Sequence, residues 1–179
     1  MEAFSKFISI IILVAALFLL PLIHSGDQKD AISQSYVSEK VTSFVEDVKK
    51  QGKITQSMYD RFLSDLDATK TVYDIELVHT HTEVTPVFDA DGNVSDVKQY
   101  NVCFYTDEIL DGVYSHVADT DAGEVNGEYH LTKGDYITVT VKNRHYTIAT
   151  RLRNKLFGIP FPKTSIYVTY GGRIQDENY

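Results

Sequence analysis

Seventeen consecutive residues, Phe7 to Ile23 (FISIIILVAALFLLPLI), carry no charge and a single hydroxyl, Ser9. Few folds accept such a run. As a helix rising about 1.5 Å per residue it covers about 25 Å, close to one hydrocarbon core. Inside lipid a lone segment satisfies its own backbone only as a helix. Three uses compete. A cleaved signal peptide needs a basic n-region, a shorter apolar core and a small-x-small cleavage site. Here Lys6 is accompanied by Glu2, the apolar run is long, and the exit reads Leu22-Ile23-His24-Ser25-Gly26. A buried globular helix needs a polar stripe, which this run lacks. The pattern therefore favours a retained transmembrane anchor over residues 1–25. Lys6 and the terminal amine place the N-terminus inside and the remainder outside.

Residues 26–52 continue as an amphipathic helix. Ile32, Tyr36, Val37, Val41, Phe44, Val45 and Val48 trace one apolar stripe at helical spacing. Lys49 and Lys50 suit a helix C-terminus, and Gly52 suits the residue just past it. Pro21 either kinks the helix or divides it, so one long spine and an anchor followed by a separate helix both remain open.

The remaining residues, 53–179, read as one extracytoplasmic α+β head. Thr55 is an N-cap for a helix carrying Met58, Tyr59, Phe62, Leu63 and Leu66. A β-rich run from Val72 to Phe88, the turn Asp89–Asn93 and a strand from Val94 to Thr106 predict a hairpin. Thr106 opens a short helix carrying Ile109, Leu110, Val113 and Tyr114. An acidic loop, Asp119 to Glu128, precedes the turn Lys133-Gly134-Asp135 and the alternating strand Tyr136–Asn143. Thr147 to Gly158 predicts a short amphipathic helix with Ile148, Leu152, Leu156 and Phe157 on one side, and Ser165–Tyr170 a last strand. Hairpin-linked strands with short helices imply an antiparallel sheet covered on one face. A net charge of −8 argues against nucleic acid as a partner. The only cysteine, Cys103, excludes an intrachain disulfide, and its place between Val102 and Phe104 predicts a buried, inert thiol.

Chemistry-bearing motifs are sparse. On a strand, His79, His81 and Glu83 share one face at period two. Two imidazoles and a carboxylate can bind zinc with an open position, although an exposed polar strand face gives the same pattern. Partners holding the far ring nitrogens would separate the two. Asp89-x-Asp91-x-Asn93 begins like a calcium loop, but its glycine comes too early and Tyr100 stands where the bidentate glutamate belongs. Asn93-Val-Ser95 matches a glycosylation sequon. No nucleophile elbow, phosphate loop or dinucleotide turn is present, and His116, His130 and His145 are scattered. The expectation is a non-enzymatic protein with no cofactor and no bound metal. Charge is more telling. Thr106–Asp135 holds eight acids against Lys133, whereas Val141–Lys163 holds six bases and no acid. Either neighbouring segments neutralise each other, or the basic helix with Arg151 and Arg153 meets the acidic loop of another subunit.

The anchor Ile8–Ile23, the stripe Ile32–Val48, and the tail segments Gly134–Asn143 (GDYITVTVKN) and Ile166–Gly172 (IYVTYGG) together resemble type IV pilins and pseudopilins. The details are most similar to small pseudopilins of tight-adherence (Tad-type) pilus loci. That resemblance implies a surface pilus or secretion filament, a membrane location, and partners among pilin-like subunits, copies of itself or assembly-platform proteins. It implies subunit contacts at Ile32, Tyr36, Val41, Phe44 and Val48 and at Arg151 and Arg153, unless the helical stripe covers the protein's own sheet. Family precursors usually carry a basic leader ending in Gly or Ala and a glutamate early in the mature helix. Here the apolar run starts near Met1 and Glu2 is the only acid beside it, so that glutamate is not carried over. Alternatives of other classes are a tethered accessory binding protein of a secretion or conjugation machine, and a metal-dependent surface hydrolase built on His79, His81 and Glu83.

Overall fold

The computed structural model describes residues 2–88, 94–115, 117–119, 123–125, 127–158, 160 and 166–175. The expected turn at Asp89–Asn93, the sequon asparagine, His116, Asp121, Lys163 and Ser165 lie outside the described residues.

One helix, α1 (Glu2–Gln51), spans 50 residues without interruption, with Pro21 inside it. At about 1.5 Å per residue it is about 75 Å long. The alternative of two separate helices is thereby resolved in favour of one spine. Its two halves have different surroundings. From Phe4 to Leu22 the large apolar side chains stand exposed, Phe4 at 71% and Phe18 at 70%, except the half-buried Leu19. From Val37 to Val48 the stripe is buried: Val37, Val41, Val45 and Val48 are fully covered, and Phe44 is 5% exposed. The helix ends at Gly52, whose N–H donates to the Val48 carbonyl and whose φ of 65° any other residue would resist.

The buried half of α1 lies on an antiparallel four-stranded sheet of order β3-β2-β7-β8, formed by β2 (Tyr73–Phe88), β3 (Val94–Tyr105), β7 (Tyr136–Asn143) and β8 (Tyr167–Arg173). Strand β7 shows the expected alternation: Ile137, Val139, Val141 and Asn143 face inward. Leu77 of β2 and Val168 of β8 extend that layer. A short strand β1 (Lys53–Thr55) follows α1 and pairs with β6 (Glu128–His130). The expected acidic loop contains instead a small pair, β4 (Val117–Asp119) with β5 (Gly123–Val125). Helix α2 (Gln56–Asp67) starts at Thr55, whose hydroxyl accepts from Met58 N–H. It packs Tyr59, Phe62 and Leu66 inward, and the Phe62 ring stacks on Phe44 at 4.6 Å. Helix α3 (Thr106–Tyr114) buries Ile109 and Val113.

Strand β2 outruns the sheet. Its register on β7 ends at Thr80 opposite Tyr136, while its pairing with β3 continues to Phe88. Beyond Thr80 the two strands form a ribbon with no third neighbour among the described residues. Val84, Val97 and Tyr100 on it are each more than half exposed.

Two expectations are corrected. Cys103 is exposed. Its neighbour Phe104 points inward, so strand alternation turns Cys103 to the outer face, where its sulfur lies 3.7 Å from the Thr80 hydroxyl. Helix α4 (Ile148–Phe157) does not bury the apolar side expected of it. Ile148, Leu156 and Phe157 are exposed, and Ala149 and Thr150 are buried instead. The cause is a close crossing: α4 rests on α1 at Gly26, where an added Cβ would come within 2.8 Å of the Ala149 Cβ. Only the small face of α4 fits there.

Candidate functional site

Two features carry functional content: the uncovered half of α1, and a polar cluster where the ribbon leaves the sheet.

The cluster is built on β2. His79 and His81 point to the helix-covered face two residues apart. His79 is deep, at 4% exposure, with its ring stacked on Phe104 at 5.3 Å. His81 lies one step further along, at the edge of the core, and its side chain is 36% exposed. The carboxylate that meets them is not Glu83, which is exposed on the ribbon, but Asp135. Residues two apart on a strand are separated by about 7 Å along its axis, so Glu83 only continues the row outward. Asp135 instead arrives sideways: it immediately precedes β7, whose first residue pairs with Thr80 between the two histidines.

The geometry is tight. Asp135 Oδ2 lies 2.8 Å from His79 Nε2, and Oδ1 lies 2.7 Å from His81 Nδ1. The Thr132 N–H also donates to Oδ2 at 2.8 Å, closing the turn that positions the acid. On the far side of His79, Nδ1 is 2.8 Å from the Tyr129 hydroxyl. Burial alone would raise the Asp135 pKa, but hydrogen bonds from His79, His81 and the Thr132 backbone outweigh it and hold the group below the usual carboxylate range. Tyr129 is pushed up to about 12 by burial and by the nearby charges of Glu108 and Asp135. With Asp135 ionised, each imidazole donates to it, and in a neutral His79 the Nδ1 atom accepts from Tyr129.

The expected subunit-contact residues divide. Val41, Phe44 and Val48 belong to the head's own core, because the stripe meets the sheet beneath it. That removes them from an intersubunit surface. Ile32 remains 71% exposed, and Tyr36 is half-buried beneath the Lys40 ammonium, 5.2 Å from its ring centre. Arg151 is exposed on α4. Arg153 pairs within the chain, with Asp27 of α1 at 2.6 Å. Other bases of the tail also find partners in the same chain, Arg144 with Asp74 and Lys142 with Glu76. Those acids are on β2, not in the acidic segment that sequence charge singled out.

The uncovered half of α1 is long and apolar enough to cross a membrane. It is compatible with a single membrane anchor.

Comparisons with protein-family models, with curated proteins and with solved structures give no match for this chain.

Proposed function

We propose that this chain is a non-enzymatic, single-span pilin-like subunit, anchored N-in with its head outside, that works in assembling a surface pilus or secretion filament. One observation carries the reading: a single helix is both the candidate anchor and the central element of the head. A protein that merely needs attachment can use a flexible linker, which leaves its head free to turn. A continuous helix about 75 Å long fixes the head relative to the bilayer, as an ordered assembly requires. The apolar surface from Phe4 to Leu22 supports the same reading, since most of its large side chains stand exposed. Lipid-facing apolar side chains gain little from one another. Specificity between subunits therefore falls to positions just outside the bilayer, the exposed Ile32 and the half-buried Tyr36 among them, and to basic side chains of α4 such as Arg151.

The test is crosslinking in native membranes. Cys103 is first replaced by Ser, because it is exposed and would react. Single cysteines are then placed at Ile11, Leu17, Ile32 and Tyr36, in protein shown to resist carbonate extraction. The proposal expects adducts to sister or partner subunits clustered on one helix face. A folded, membrane-held protein that yields none at any position leaves a lone tethered module and ends the assembly reading. A head released free of α1 residues 1–25 would end the anchor as well.

A further inference from the structure

We propose that His79, His81 and Asp135 form a binding site for one divalent transition-metal ion of the zinc class. One ligand atom from each residue lies within 4.8 Å of the others. Neutral imidazole nitrogen and carboxylate oxygen are donors that Zn²⁺ takes at about 2.0–2.2 Å, so small side-chain rotations bring all three to one centre. The nitrogen donors distinguish the site from those for Ca²⁺ or Mg²⁺, which take oxygen.

The surroundings are those a metal site needs. Ligating histidines are usually held by a hydrogen bond at the far nitrogen, and ligating carboxylates by a further donor. Here Tyr129 holds His79 Nδ1, and the Thr132 N–H holds Asp135. Binding replaces each His–Asp hydrogen bond with bonds to the ion, and each neutral imidazole shifts its proton to the far nitrogen. For His79 that reverses the bond to Tyr129, whose hydroxyl accepts as readily as it donates. For His81, more than a third exposed, water takes the proton's hydrogen bond. Three protein ligands leave a fourth position for water. His81, at the rim, gives the ion its way in. The ion would tie the base of the β2–β3 ribbon to the turn before β7, two segments more than 50 residues apart in sequence. Nothing in this inference depends on the anchor or on assembly.

Full-length protein in detergent, stripped with chelator, is titrated with Co²⁺ and, separately, with Zn²⁺. The expected result is one ion per chain, with the visible bands of low-coordinate cobalt and a rise in Tm. His81→Ala should weaken binding by more than about tenfold, and Tyr129→Phe by about 10–100-fold. Glu83→Gln should bind as wild type. Where His81→Ala fails to fold by circular dichroism, His81→Asn replaces it. Absence of saturable binding to the folded wild-type chain overturns the site and leaves a metal-free hydrogen-bonded clasp. Binding unchanged in the His81 variant, or lost equally in Glu83→Gln, overturns the ligand assignment.

Discussion

Phe44→Ala separates a core role for the α1 stripe from an outward-facing one. Phe44 is 5% exposed, stacks on Phe62 at 4.6 Å and meets Tyr59 edge-on at 6.2 Å. Truncating a buried phenylalanine costs about 3–5 kcal/mol, through lost transfer energy and the cavity left behind. Of that, about 0.5–1.5 kcal/mol is specific to each aromatic pair. Domain stabilities run about 5–15 kcal/mol, so the loss is a large fraction of the whole. At about 2–4 °C per kcal/mol for a chain of this size, the head should melt about 6–20 °C lower. Ile32→Ala is the matched control. Ile32 is 71% exposed on the same helix, and surface changes usually stay within about 0.5 kcal/mol. Both variants are melted in detergent and followed by near-ultraviolet circular dichroism, which reports the aromatic core. The cycle Phe44→Ala with Phe62→Ala should return a coupling of about 0.5–1.5 kcal/mol. If Phe44→Ala shifts the melt no more than Ile32→Ala, the stripe does not hold the head together and this account of the core is refuted.

Three further outcomes follow from the same geometry. Gly26→Ala should fail to give the roughly 1 kcal/mol that alanine usually adds to a helix, because its Cβ meets Ala149 at 2.8 Å; adding Ala149→Gly should recover stability, and a plain gain from the single change would refute the close crossing. Arg153→Glu should cost only about 0–1 kcal/mol, less at high salt, since the pair with Asp27 is partly exposed; adding Asp27→Arg to Arg153→Glu should restore it, measured as the change in urea midpoint. Tyr114 is pushed up to about 12, by partial burial first and then by its hydrogen bond to Asp60. Its folded pKa is raised, so its contribution is complete below about pH 10 and fades as pH rises through about 12. An ultraviolet phenolate titration should show a late-ionising group that moves down in Asp60→Ala; its absence would contradict the contact.

Much of the architecture was legible because it is set locally. Thr55 as N-cap, Gly52 past the helix end and the alternation of Tyr136–Asn143 are each fixed by a few adjacent residues. What a surface meets was less legible. The stripe Val37–Val48 has the same spacing whether it covers its own sheet or a neighbour's helix, so sequence left its occupant open. Helix α4 misled for a related reason: a close approach at Gly26 selected its small face, which no periodicity in Ile148–Phe157 records. At the candidate site, His79 and His81 were visible from their spacing. Asp135 was not, because it is brought in by the register of β2 on β7, whose paired residues are more than 50 apart in sequence. The readable signal was only an acid closing a glycine turn at the foot of an alternating strand.

Helix α1 has a consequence for phase. Ile23 is buried and Gly26 is pressed against α4, so the head grips the helix almost to the end of its apolar half. No swivel intervenes between them. The faces that Phe7 through Leu20 present outward are therefore clocked to the faces of the sheet. Inserting one residue near Leu22 would turn one set against the other by about 100° while lifting the head by about 1.5 Å. Four inserted residues would nearly restore the original bearing at a standoff about 6 Å greater. Rotation and height are thus coupled in this molecule, and residue count sets both together.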